Sequence, residues 1–177
     1  MNITREKMNY DLVIVGAGPS GLSAAINFKK LCKKNDKDLS VCVVEKGSEV
    51  GAHILSGAIL EPRALNELIE DWKTDEDCPV KVSVKQESLK FLTETNSYEI
   101  PGIFIPSVMH NKGNFIISLG NFCKWLAKKA EDLGVEIYPG FSASELLIEN
   151  GKLNGIITGD LGLDKNGERG PNFQPGI

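Results

Sequence analysis

The chain has 177 residues, 41% of them hydrophobic and 25% charged, which is enough for one domain with a real core. Its net charge of -4 gives no general attraction to nucleic acid, and no apolar run reaches the 18 or so residues of a membrane-spanning helix. Met1 to Lys7 is polar and charged, so the start reads as frayed rather than as a signal or transit peptide.

The first element is an apolar, β-rich run, Tyr10 to Val15, suited to a buried parallel strand. It leads into Gly16-Ala-Gly-Pro-Ser-Gly21. Gly16 permits the tight turn, Gly18 lets a diphosphate approach the backbone, and Gly21 lets the next helix pack close to the strand. Ala24 and Ala25 keep that contact thin. Pro19 suits a first helical turn, whose N–H groups have no helical partner and carry about half a positive charge toward an anion. Lys29, Lys30, Lys33, Lys34 and Lys37 read as a solvated helix end.

A second strand, Ser40 to Glu45, closes on an acid 24 positions after Gly21, near the usual spacing of roughly 20. A carboxylate there can accept both ribose hydroxyls and would repel a 2′-phosphate, which argues against NADP. Strand, glycines, helix and acid in this order describe a site for the adenosine diphosphate half of a dinucleotide.

Gly47 to Leu60 reads as a loop. A helix should begin near Pro62, with Leu65, Leu68, Ile69 and Trp72 on one face. Thr74 to Pro79 is an acidic turn, followed by strands over Val80 to Glu87 and Lys90 to Ile100, then a loop broken by Pro101, Gly102 and Pro106. A second helix runs from a Ser118 cap to Gly134, burying Phe122, Trp125, Leu126, Ala130 and Leu133. Val135 to Tyr138 is the third parallel strand. Glu145 to Glu149 and Lys152 to Thr158 form a hairpin about Asn150-Gly151. Gly159 to Ile177 is rich in Gly, Pro and Asn. The layout is one α/β domain over 1–177, with an inserted segment at about 71–114. A meander after the third strand favours FAD over NAD by analogy of fold.

Cys32, Cys42, Cys78 and Cys123 have separations of 10, 36 and 45, so no spacing indicates zinc or an iron–sulfur cluster. Cys32 and Cys42 read as small buried residues in a reducing compartment. His53 and His110 read as structural, as do Trp72 and Trp125. No catalytic acid or base stands out.

Several later segments resemble the electron-transfer flavoprotein:ubiquinone oxidoreductase family. They are Gly51-Ala-His-Ile-Leu-Ser-Gly-Ala58 with Glu61-Pro62, Asp71-Trp-Lys73, His110 to Gly120, Gly134 to Gly140 and Thr158-Gly-Asp160. The resemblance implies a Rossmann-like FAD-binding domain of the glutathione-reductase type, a parallel sheet plus an antiparallel β-meander, incomplete at the C-terminus. Gly16, Gly18, Pro19, Ser20, Gly21, Glu45 and Lys46 would hold the adenosine half of FAD. Gly51, His53, Ser56 and Gly57 would lie near the flavin. The implied partners are electron-transfer flavoprotein, ubiquinone and a membrane surface touched by Val50 to about Asp71, aided by Ile103, Phe104 and Ile105. The implied location is peripheral, on the cytoplasmic side of a bacterial inner membrane or on the mitochondrial inner membrane. The family's 4Fe-4S ligands and its final FAD strand would follow Ile177, making this an N-terminal fragment inactive alone. Two alternatives stay open: another FAD-superfamily oxidoreductase, such as a geranylgeranyl-reductase-like enzyme or an aromatic hydroxylase, and a non-catalytic nucleotide-binding fragment.

Overall fold

A computed structural model describes residues 4–177. In chain order the elements are β1 (Leu12–Val15), α1 (Pro19–Lys34), β2 (Val41–Glu45), β3 (Gly57–Leu60), α2 (Arg63–Leu68), β4 (Val82–Ser83), β5 (Leu89–Leu92), β6 (Ser97–Ile100), β7 (Phe115–Ser118), α3 (Leu119–Glu131), β8 (Val135–Pro139), β9 (Ala143–Glu149), β10 (Lys152–Thr158), β11 (Leu161–Leu163) and β12 (Arg169–Gln174). The chain divides into two compact units, one of residues 1–55 with 123–177 and one of residues 56–122. The second contains the segment expected at 71–114.

In the first unit, β1, β2 and β8 form a parallel sheet with β2 at its centre. Val41 to Val44 are all buried, as a central parallel strand requires. β1 differs from expectation. It occupies the sheet edge, its residues are half-buried, and Val15 is exposed. Leu22, Ala25 and Ile26 of α1 are fully buried, and α1 packs on the sheet. Of the alanine pair, Ala25 is fully buried, whereas Ala24 is exposed. Lys29 departs from the solvated lysine group. Its stem is largely buried and its Nζ donates to the Leu39 carbonyl at 3.0 Å.

The hairpin β9–β10 turns at Asn150 and Gly151, both in the left-handed region with φ of 52° and 75°. That is the demand of a two-residue hairpin turn, which Asn-Gly meets. A second antiparallel hairpin, β11–β12, occupies the stretch rich in Gly, Pro and Asn. Pro171 is tolerated there because the two-stranded ribbon has free edges. Thr158-Gly-Asp160 pins this region. Asp160 accepts from the Gly176 amide at 2.8 Å and from the Arg5 guanidinium, which holds its carboxyl below the usual range. Arg5 is therefore tied down, while Thr4, Glu6 and Lys7 are exposed and outside any element; residues 1–3 of that expectation lie outside the described residues.

The second unit holds two small antiparallel sheets, β3–β7–β4 and β5–β6. β3 and β7 lie where a loop and an unassigned stretch were expected. α2 stops at Leu68, because Ile69 turns extended at φ −137°, ψ 92°. Leu65, Ile69 and Trp72 are nevertheless all buried. Trp72 donates from Nε1 to Asn66 at 2.8 Å and meets Phe115 edge-on at 5.4 Å. The helical spacing thus identified three buried residues, with Leu68 only half-buried, and short turns deliver the last two.

α3 begins with the Asn121 amide donating to Ser118 Oγ at 3.4 Å and buries Phe122, Trp125, Leu126 and Ala130 as expected; Leu133 lies beyond its end, half-buried. Cys123 and Ala127 join that face. All four cysteines are buried, and none is in a disulfide. Burial pushes the Cys42 and Cys123 thiols up to about 11.

Candidate nucleotide-binding site

The candidate site lies at the carboxyl ends of β1, β2 and β8, the edge at which open α/β sheets bind ligands. The Gly16 amide donates to the Val44 carbonyl at 2.7 Å, carrying β1 one step past its end. The chain then turns, with Gly16 at φ +98°, into α1.

The three glycines of the fingerprint have separate reasons. Gly16 needs its positive φ. Gly21 needs space: a Cβ there would lie 2.0 Å from the Gly16 carbonyl oxygen. Gly18 needs neither. Its φ of −82° and ψ of 179° suit any residue, and a Cβ there would meet nothing within 4 Å. The fold gives no internal cause for glycine at position 18.

α1 starts with Gly18 as cap, and its first helical hydrogen bond runs from the Leu22 amide to the Gly18 carbonyl at 3.0 Å. Pro19 occupies the first turn, with no side-chain cap and no acidic residue there. By helix geometry the Ser20 and Gly21 amides point out of the N-terminus, toward the side an anion would take.

Glu45 is half-buried at the end of β2 and has two main-chain partners that sequence reasoning missed. Its Oε2 accepts from the Ala17 amide at 2.8 Å, and its Oε1 from the Gly47 amide at 2.7 Å. The Gly47 carbonyl in turn accepts from the Gly140 amide at 2.7 Å, beyond β8. Each carboxylate oxygen keeps further acceptor capacity, so two ribose hydroxyls can still be met. Glu45-x-Gly47 was the only available sequence signal for this turn.

Of the other expected residues, Lys46 and His53 are exposed and Gly51 is half-buried in the first unit. Ser56 and Gly57 belong to the second unit, where Gly57 opens β3 and a Cβ on it would lie 2.9 Å from the Ile117 carbonyl oxygen. His110 Nδ1 contacts Glu87 Oε1 at 2.8 Å, and Glu87 also accepts from the Asn111 amide at 2.6 Å. These contacts hold the Glu87 carboxyl below its ordinary range and fit a structural histidine.

A cavity of about 430 Å3 in the first unit, lined among others by Val13, Val44, Leu147 and Ile157, includes none of the glycine-loop residues. Among the described residues no three His, Cys, Asp or Glu side chains gather as a metal site, and no helix is long and apolar enough to cross a membrane.

Residues 14–71 match the model of the NAD(P)-binding Rossmann-like domain family. The chain resembles the geranylgeranyl bacteriochlorophyll reductase-like protein of Thermoplasma acidophilum at a TM-score of 0.60 and 21% identity, over 84% of this chain and 34% of that one. It resembles the myxobacterial FAD-dependent chondrochloren halogenase at a TM-score of 0.56 and 14% identity, over 90% of this chain and 34% of that one. These likenesses show the fold: a Rossmann-like α/β domain with a parallel sheet and antiparallel strands, as expected from sequence. Sequence similarity goes further. The chain is 58% identical over 165 residues to the electron transfer flavoprotein-ubiquinone oxidoreductase of Pseudomonas aeruginosa, covering 92% of this chain and 30% of that protein. It is 55% identical over 174 residues to the mitochondrial one of Dictyostelium discoideum, covering 98% of this chain and 28% of that protein. By sequence the chain is a homologue of electron transfer flavoprotein-ubiquinone oxidoreductases, and it spans about 30% of the length of the relatives it matches.

Proposed function

We propose that this chain supplies the adenosine-diphosphate-binding part of an FAD-dependent oxidoreductase that carries electrons from reduced electron-transfer flavoprotein to ubiquinone. The observation that carries the nucleotide reading is Gly18, a glycine that the fold does not need beside an uncapped helix N-terminus. The Ser20 and Gly21 amides hold the diphosphate, Gly18 admits it to the backbone, and the free acceptor sites of Glu45 take the ribose. Pro19 starts the helix, and Lys46 flanks the acid from the solvent side. Bound FAD supplies the electron-carrying chemistry, while the protein sets its position and surroundings. Gly51, His53, Ser56 and Gly57 serve the flavin half.

FAD rather than NAD is favoured because the relatives at 58% and 55% identity are electron-transferring oxidoreductases acting with a flavoprotein and a quinone by name. The adenosine diphosphate half is common to both cofactors, so the Rossmann match fits either. The 4Fe-4S cluster implied by the resemblance would draw its ligands from outside this stretch. Contact with one membrane leaflet is supported by exposed apolar side chains in the second unit. Ile103 is 88% exposed and Val108 91%, on two short 3-10 turns that also carry Phe104.

The test replaces the matched segment of the Pseudomonas aeruginosa relative with this chain. The hybrid should purify yellow and reduce ubiquinone with reduced electron-transfer flavoprotein. A folded, colourless hybrid would refute the reading.

A further inference from the structure

Glu45 makes more contacts within the protein than a sugar-binding carboxylate requires. We infer that Glu45 is a positioning residue: it holds the diphosphate loop in its binding shape before a ligand arrives, through the main-chain amides of Ala17 and Gly47. The inference deepens the nucleotide reading above and rests on it for the class of ligand.

Ala17 sits between two glycines and is only 2% exposed. Glycines on both sides leave that loop little intrinsic order. Its buried amide needs an acceptor, and the one present is a side chain 28 positions away. The opposite oxygen of the same carboxylate holds the Gly47 amide. That turn is tight. A Cβ on Gly47 would lie 3.2 Å from Glu45 Oε1 and 3.0 Å from the Glu49 carbonyl oxygen. The Gly140 amide on the Gly47 carbonyl extends the tie past β8. One carboxylate therefore joins the loops following β1 and β2, and Gly47 links them to the loop after β8. Glutamine would turn an N–H2 toward one of the two amides and break that bond; aspartate is one methylene too short to span both.

Three forms of the 177-residue chain separate this role from a sugar-only role: wild type, Glu45→Gln and Gly47→Ala. Calorimetry with inorganic pyrophosphate, which has no sugar, reports the loop alone, and ADP reports loop and sugar together. Glu45→Gln should lower pyrophosphate affinity about 10-fold or more, the effect of losing one charge-assisted bond. Gly47→Ala should lower it too, with the carboxylate still present. Amide hydrogen exchange without ligand should show Ala17 and Gly47 protected in wild type and exchanging at least ~10-fold faster in Glu45→Gln. Loss of ADP affinity with pyrophosphate affinity unchanged would overturn the inference, as would unprotected Ala17 and Gly47 amides in wild type. If wild type binds neither probe, the nucleotide reading fails, and the exchange data still decide the positioning role.

Discussion

The two units use their sequences differently. In the first, main-chain hydrogen bonds at the ends of β1, β2 and β8 fix which residues can stand at 16, 21, 45 and 47. In the second, Leu65, Ile69 and Val80 need only be apolar and of fitting size, while Ile103, Phe104 and Val108 stay in solvent. Where backbone geometry dictates residue identity, motifs arise. Where packing alone decides, many sequences serve and no local pattern marks the element.

Tolerance in the second unit extends to apolar residues of fitting size and not to a hole. Trp72→Ala removes a buried ring, its bond to Asn66 and its contact with Phe115, and should cost about 3–5 kcal/mol, read as a lowered urea midpoint. In the first unit, Gly21→Ala forces a Cβ to within 2.0 Å of the Gly16 carbonyl and should cost about 1–3 kcal/mol or more. Gly18→Ala sharpens the contrast. It should leave the urea midpoint unchanged or raise stability by up to about 1 kcal/mol, yet lower ADP affinity about 10-fold or more. A Gly18→Ala chain that unfolds like Gly21→Ala would erase the distinction between fold glycines and ligand glycines.

The smallest effect concerns pH. Hydrogen bonds from the Ser40 amide and hydroxyl, both at 2.8 Å, hold the Asp11 carboxyl below its usual range. A folded-state value below the unfolded one stabilises the protein above about pH 4, and that contribution disappears as pH falls through the folded value. The stability of Asp11→Asn should therefore fall less steeply than wild type between about pH 5 and pH 2 in thermal unfolding.

What could be read in advance follows the same division. The glycine turn, the central strand Val41–Glu45 and the Asn150-Gly151 hairpin were legible because each rests on a local demand of backbone or burial. β3 and β7 were not: Gly57-Ala-Ile-Leu60 and Phe115-Ile-Ile-Ser118 pair only with each other and with β4, across long stretches of chain. β12 hid behind Gly170 and Pro171, tolerated because it lies in a two-stranded ribbon. At the site, Glu45 was legible as an acid on a strand end. Its hold on Ala17 and Gly47 was not, since nearly every residue offers a main-chain amide and the sequence does not mark which ones the carboxylate meets.

The loop from Gly16 to Gly21 is proposed to receive a nucleotide diphosphate. A backbone amide spectrum of the 177-residue chain titrated with ADP tests it most directly. Saturable shifts should centre on Gly18, Ser20 and Gly21, with smaller ones at Glu45 and Gly47. Saturable shifts confined to other residues, or none at millimolar ADP, would contradict it.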